Sequence, residues 1–291
     1  MEWGIYIALV LIGACLGSFA GATVWRLRAR QLRDDKKDGE KVDAKELNRL
    51  KGLLKSKITS DRSRCLECGY TLRWYDLIPI FSWLSLRGKC RHCHKPIGKF
   101  ELLIELGMVA FFVLSYALWP FELVTGWEIA RLVLWLIAGV ALAILFAYDL
   151  KWFLLPDKVS FTVIGLGALT VAVASIVSGD VLNTVLSAAA AAGILSGLYL
   201  LLYLASKGAW VGFGDIKLGL GLALLLVDWK LALVALFLAN LIGCLIVIPL
   251  LATKRLERKS HVPFGPLLIA GTVIAFFIGS DVIDWYVFGL I

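Results

Sequence analysis

Eight apolar stretches constrain what this chain can fold into. They lie at roughly 3–24, 101–119, 130–148, 159–178, 181–205, 215–227, 231–252 and 264–288. Several reach the ~20 residues that carry a helix across a bilayer core. The sixth is short, and only Asp228-Trp229-Lys230 parts it from the seventh. A count of seven competes if those two form one broken unit. Hydrophobic residues make up 60% of the 291 positions, with a mean hydropathy of +0.83. Soluble domains run nearer half apolar. The expected fold is therefore an all-α polytopic membrane protein with about eight transmembrane helices.

Charge orients these segments. Residues 25–100 hold 20 Lys and Arg against 9 Asp and Glu, so the basic excess belongs to one loop. With the N-terminus outside, the inner loops are 25–100, 149–158, 206–214 and 253–263. The later ones carry Lys151, Lys158, Lys207, Lys254, Arg255, Arg258 and Lys259. The outer loops carry Glu122, Glu128, Asp180, Asp228 and one Lys230. This asymmetry matches the excess of Lys and Arg in cytoplasmic loops. The basic loop is expected to lie beside anionic lipid. No nucleic-acid partner is expected, because no stacking motif or recognition fold accompanies the charge. No basic n-region precedes the first apolar run, which is therefore expected to persist. Within 29–63, Leu47, Leu50, Leu53 and Leu54 recur at helical spacing amid charge, as in a solvated or interfacial amphipathic helix.

Two Cys-x-x-Cys knuckles, Cys65–Cys68 and Cys90–Cys93, lie 21 residues apart in that loop. Four thiolates at this spacing read as a tetrahedral zinc site without an open position, hence structural. Gly69 and Gly88 stand where tight turns are needed. A reducing cytoplasmic loop disfavours the competing reading, a pair of redox dithiols. Cys15 and Cys244 read as small buried hydrophobes. The expected organisation is a first transmembrane helix at 1–24, then a cytoplasmic basic loop at 25–100, then a transmembrane catalytic bundle at 101–291. The loop would hold a small zinc-ribbon-like domain between helices 1 and 2.

Two carboxylates carry the chemical signal. Asp149 ends the third apolar run and Asp215 opens the sixth, in Gly212-Phe213-Gly214-Asp215. The topology puts both at the inner face. Ionisable groups at membrane depth mark function more often than structure. Asp215 also reads as a helix cap, but a cap does not need both Gly212 and Gly214. Glycine lets another backbone approach closely. Two nearby carboxylates share one proton, so one can activate water while the other donates to a carbonyl oxygen or amine. Asp157, after Pro156, reads as a helix cap rather than a catalyst.

The chain resembles the type IV prepilin leader peptidases, which resemble the wider Gly-x-Gly-Asp membrane proteases. Gly17-Ser18-Phe19 with Trp25-Arg26-Leu27, the run from Leu72 to Leu84, Arg87 to Cys93, Asp149 to Asp157, Gly212 to Lys217, and Pro263-Phe264-Gly265-Pro266 carry the likeness. The resemblance implies cleavage of the basic leader of prepilins and pseudopilins, substrates that meet the enzyme in a bacterial inner membrane, on its cytoplasmic side. It implies Asp149 and Asp215 as the catalytic pair, with Gly212, Gly214 and Lys217 positioning substrate or backbone. It implies Cys65, Cys68, Cys90 and Cys93 as zinc ligands. Many members also methylate the new N-terminus from S-adenosylmethionine, and Glu105 is the residue nearest that part of the pattern. The chain departs from the pattern there, with Phe100-Glu101-Leu102 where the family shows Arg-Tyr-Pro. It also has Gly21 where Asn is usual and Arg28 where Pro is usual.

A prepilin is a basic leader followed by an apolar helix. Its helix would pack against the bundle, and Glu67, Asp76 or Glu105 would receive the leader. Two rivals make different predictions. A proton-coupled transporter needs carboxylates near mid-bilayer and broken helices at matching points of two halves. A membrane thiol redox protein needs zinc-free, exchanging cysteines.

Overall fold

The computed structural model describes residues 2–54, 62–254 and 262–288. Among these the chain is helical, and its only β structure is two isolated bridges, Arg64 with Thr71 and Lys89 with Pro96. Among the described residues, seven helices are long and apolar enough to cross a membrane: Trp3–Lys37, Phe100–Ala117, Gly126–Trp152, Asp157–Ser178, Val181–Ser206, Trp229–Ala252 and Phe264–Tyr286. The remaining apolar stretch forms a separate helix of 14 residues, Phe213–Leu226. The protein is thus an all-α multi-pass membrane protein. Many large apolar side chains face outward, among them Leu201, Leu204, Phe237 and Ile248. In lipid such a surface is already in a compatible solvent. Of the expected inner basic residues, Arg255, Arg258 and Lys259 lie outside the described residues.

Contacts divide the chain into two units, Met1–Val113 and Leu114–Ile291. In the first, helix α1 (Glu2–Lys37) does not stop near residue 24 but continues for 36 residues. After Trp25 the chain reads Arg, Leu, Arg, Ala, Arg, Gln, Leu, which are strong helix formers, and Arg28 occupies the place where a proline would break the helix. Helix α2 (Ala44–Leu50) is capped by Asp43, whose carboxylate accepts the N–H of Lys45 at 2.8 Å. The expectation of a solvated or interfacial helix is corrected here. Leu47 and Leu50 are buried against Ala29 and Leu32 of α1, with Trp25, Val42, Leu53, Leu54 and Leu66 around them. Arg28 and Glu46 fasten the same contact through two charge-assisted bonds, of 3.2 and 2.7 Å. Helix α3 (Phe81–Ser85) is a short turn between the knuckles.

Helix α4 (Phe100–Ala117) packs closely on α1. A Cβ on Gly17 would stand 2.6 Å from the Glu105 Cα, and one on Gly13 would stand 3.0 Å from the Met108 carbonyl. Small residues four apart bring membrane helices together in this way. Cys15, on another face of α1, is exposed, as is Cys244 in the second unit. Neither is the buried residue expected of it. An apolar thiol is equally at home against lipid.

The second unit begins with α5 (Gly126–Trp152), started by a capping box between Thr125 and Glu128. It ends at Phe153, whose left-handed backbone (φ 56°) returns its N–H to the Asp149 carbonyl at 2.9 Å. Helix α6 (Asp157–Ser178) follows directly. Helices α7 (Val181–Ala192) and α8 (Leu198–Ser206) form one span interrupted by a π-helical turn, Gly193–Gly197. Against that turn lies α9 (Phe213–Leu226). A Cβ on Gly219 would approach the Leu195 carbonyl to 2.5 Å, and Ser196 Oγ donates to the Ile216 carbonyl at 3.0 Å. Leu218, Leu222 and Ala223 of α9 are wholly buried. Helices α10 (Trp229–Ala252) and α11 (Phe264–Phe288) complete the unit. Asp228 caps the start of α10, so α9 and α10 are separate helices.

Candidate active site and cysteine cluster

Asp149 sits one turn from the end of α5 and is 5% exposed. Its Oδ2 accepts the backbone N–H of Gly265 at 3.1 Å. Gly265 lies in the first turn of α11, where backbone N–H groups lack helical partners and the helix dipole favours an anion. A Cβ at position 265 would stand 2.7 Å from that oxygen. Glycine is therefore required sterically.

Asp215 is the third residue of α9. Its Oδ2 reaches back to the N–H of Gly212 at 3.3 Å, so its capping role is real. The backbone at Gly214 is pressed by the Leu155 side chain, which a Cβ there would meet at 3.1 Å. A Cβ at position 265 would also stand 3.4 Å from the Leu218 side chain, one turn along α9 from Asp215, so the ends of α5, α9 and α11 that carry and hold the two aspartates meet here. The two aspartates do not hydrogen-bond to each other, and each has one oxygen engaged by a backbone N–H. Each therefore keeps its other oxygen for chemistry. Both occupy helix ends, unlike the mid-helix carboxylates a transporter would need.

Lys217 is tied to Asp157 by an ion pair and lies under the rings of Phe161 and Phe213, at 5.7 and 5.2 Å. Asp157 is the first residue of α6, with Pro156 at the cap position and no side-chain cap bond. The expected cap is thus corrected to an ion-pair partner that joins α6 to α9. Gly265 and Tyr199 received no role from the sequence. The signal for Gly265 was its place between Phe264 and Pro266 at a helix start. For Tyr199 no sequence signal exists. Its buried side chain lies within electrostatic range of Asp215.

In the first unit the four cysteine sulfurs lie within 4.8 Å of one another. The knuckles are built alike. Cys65 N–H donates to the Tyr70 carbonyl and Cys90 N–H to the Lys95 carbonyl, both at 2.9 Å. The turn of the first is closed by Gly69 (φ 71°) and of the second by His94 (φ 56°), so His94 rather than Gly88 is the counterpart of Gly69. Gly88 serves another contact, since a Cβ there would strike the Trp83 ring at 2.7 Å. Tyr70 and His92 stack at 5.0 Å across the two knuckles. The sulfurs of Cys65 and Cys93 are 3.9 Å apart. Tetrahedral coordination at the usual Zn–S bond length puts sulfurs about 3.8 Å apart. A disulfide would need about 2.05 Å. Burial pushes the Cys65 thiol up to about 12, against the backbone N–H groups of Cys68 and Glu67. Four thiols crowded within 4.8 Å of one another become thiolates together only around a cation. The donor set therefore fits a metal ion.

The acidic residues expected to receive a basic leader are already engaged. Asp76 pairs with Arg91 at 2.8 Å, and Glu67 pairs with Arg49 and Lys95. Glu105 is buried and accepts the N–H of Ile80, itself in left-handed backbone (φ 61°), at 2.7 Å. Glu105 lines a cavity of about 180 Å³ with Gly17, Ser18, Trp25 and Glu101. Glu101 Oε1 accepts the Trp25 indole N–H at 2.9 Å, whereas its buried Oε2 has no partner among the described residues.

Comparison with known proteins agrees with this division. Residues 11–119 match the bacterial peptidase A24 N-terminal domain, and residues 136–248 match the type IV leader peptidase family. A protein of Aeromonas hydrophila named prepilin leader peptidase/N-methyltransferase is 29% identical over 98% of this chain and 95% of its own length. Proteins of the same name from Legionella pneumophila and Pseudomonas aeruginosa are 28% and 27% identical. They match over 98% and 96% of this chain and over 95% and 92% of their own lengths. No solved structure matches the chain.

Proposed function

This chain belongs to the type IV leader peptidase family, and from that premise we propose that it is an aspartic endopeptidase removing the basic leader of prepilins or pseudopilins at the cytoplasmic face of a bacterial inner membrane. The observation that carries this reading is the pairing of Asp149 with Asp215. They come from helices far apart in sequence, each is held through one oxygen by a backbone N–H, and the ends of those helices meet at Gly265.

The chemistry follows from charge repulsion. Two carboxyls this near share a single proton. The charged one takes a proton from water as the water attacks the scissile carbonyl carbon. The protonated one donates to the carbonyl oxygen, and the leaving amine is protonated as the tetrahedral intermediate collapses. Gly265 and Gly212 hold the carboxyls without using the oxygens the reaction needs. Gly212 leaves the backbone beside Asp215 free of a side chain, whereas Gly214 gives its space to Leu155, which packs against the start of α9. Lys217, through Asp157, keeps the start of α9 against α6. The substrate's apolar helix would pack against the bundle while its basic leader stays at the lipid boundary.

Cys65, Cys68, Cys90 and Cys93 would hold a structural zinc, which supplies a cross-link between the knuckles and no reactive position. The relatives are named N-methyltransferases as well; such methyl transfer, with S-adenosylmethionine as donor, would belong to the cavity beside Glu105. The unpartnered Glu101 Oε2 suits the amine or sulfonium of such a donor.

The test is cleavage of a synthetic prepilin by Asp149→Asn and Asp215→Asn variants that still insert into membranes. Each is expected to lose activity by roughly 10²–10⁴-fold. Cleavage at the wild-type rate by either variant refutes the assignment. Mass measurement of the product with and without S-adenosylmethionine reports on methyl transfer in the same experiment.

A further inference from the structure

Tyr199 takes no part in the mechanism above, yet its surroundings are those of a functional group. Its side chain is buried, and among the described residues its hydroxyl has no hydrogen-bond partner. Buried tyrosine hydroxyls ordinarily find one. Two contacts fix its place. The ring meets Phe264 edge-on at 5.2 Å, and Phe264 immediately precedes the glycine that holds Asp149. The side chain also lies within electrostatic range of Asp215, although no hydrogen bond joins them. Tyr199 thus stands between the element that carries one carboxyl and the element that anchors the other. It lies two residues beyond the end of the π-helical turn Gly193–Gly197, a distortion frequent at functional sites.

We infer that Tyr199 is a positioning residue whose hydroxyl donates a hydrogen bond to the Asp215 carboxyl when the site closes on substrate, holding it opposite Asp149. The inference rests on the Asp149–Asp215 chemistry proposed above. Its physical basis is the unmade bond. A buried hydroxyl without a partner is unfavourable, whereas one bonded to a carboxylate is well satisfied. Closing that gap therefore favours the arrangement in which the two carboxyls face the scissile bond. An interaction made only in that arrangement raises kcat rather than lowering KM.

The experiment uses the full chain in lipid nanodiscs with a synthetic prepilin. Tyr199→Phe removes only the hydroxyl. We expect kcat to fall roughly 10- to 100-fold, with KM and the thermal midpoint unchanged. A non-cleavable peptide carrying a hydroxyl at the scissile position should lose affinity in the same proportion, while the free leader peptide binds as before. Equal weakening of both ligands with a lowered midpoint indicates packing alone and overturns the inference. So does an unchanged kcat. Tyr199→His keeps a donor on a smaller ring and should retain more activity than Tyr199→Phe, although it fills the space less well. The opposite order also overturns the inference. Asp149→Asn, measured alongside, separates the two failures. If it cleaves, the acid pair itself is wrong; if it is dead while Tyr199→Phe is fully active, only the tyrosine assignment falls.

Discussion

The backbone N–H of Gly265 reaches across 116 positions of sequence to hold Asp149 Oδ2 at 3.1 Å. The same position admits no side chain, because a Cβ would stand 2.7 Å from that oxygen. Donor and steric fit together make α11 a support for the carboxyl on α5.

Gly265→Ala should therefore act on catalysis more than on folding. The added methyl must displace the carboxylate or the start of α11, a strain of about 1–3 kcal/mol. We expect at least a tenfold fall in kcat for prepilin cleavage with normal membrane insertion. Wild-type turnover in this variant would show that the Asp149 position is not held from α11.

Removing metal should leave the acid pair chemically intact but weaken the first unit. Metal analysis is expected to find one tightly held zinc per chain. Cys65→Ser combined with Cys68→Ser should lose that zinc and make residues 62–99 sensitive to protease. A zinc-free variant as protease-resistant as the wild type would contradict the structural role.

The Asp157–Lys217 pair is half exposed, with side-chain accessibilities of 63% and 15%. Such pairs contribute about 0–1 kcal/mol to stability. Lys217→Met should hence leave the melting temperature almost unaltered while lowering cleavage several-fold, because the start of α9 carries Asp215. In combination with Asp157→Asn the activity losses should be less than additive, as for residues acting as a pair. Strict additivity would mean that the two side chains work independently.

Leu50 is fully buried between α1 and α2. Leu50→Ala should cost about 2–5 kcal/mol of local stability. Hydrogen exchange in residues 42–54 should rise, and exchange in α9 should not. Unaltered exchange at 42–54 would show that this segment does not depend on packing against α1.

Much of this architecture is legible in the chain because membranes impose simple rules. Long apolar runs mark the helices, and paired knuckles mark the cysteine cluster. The aspartates stand out because Gly212 and Gly214 precede one of them and both fall at the face where Lys and Arg prevail. What escaped the sequence depends on partners far away along it. The charged stretch after Trp25 looked solvent-bound, yet Arg28 meets Glu46 there and Ala29 and Leu32 receive Leu47 and Leu50. Asp157 looked like a cap because Pro156 precedes it, but an ion pair to Lys217, 60 positions on, engages it instead. The second knuckle closes at His94, where no glycine advertises the turn. Gly265 and Tyr199 gain meaning only when α8, α9 and α11 surround Asp149 and Asp215.

Helix α9, with its 14 residues, spans about 21 Å at the α-helical rise, against a hydrocarbon thickness of about 30 Å. Such a mismatch is relieved by thinning the bilayer around the helix or by letting solvent penetrate to its end. Hydrolysis consumes a water molecule at each turnover, in surroundings that exclude it. Were α9 to cross the bilayer, a helix this short would bring hydration down to the carboxyl at its tip, and the peptide bond would not have to be hauled out of the lipid to be cut.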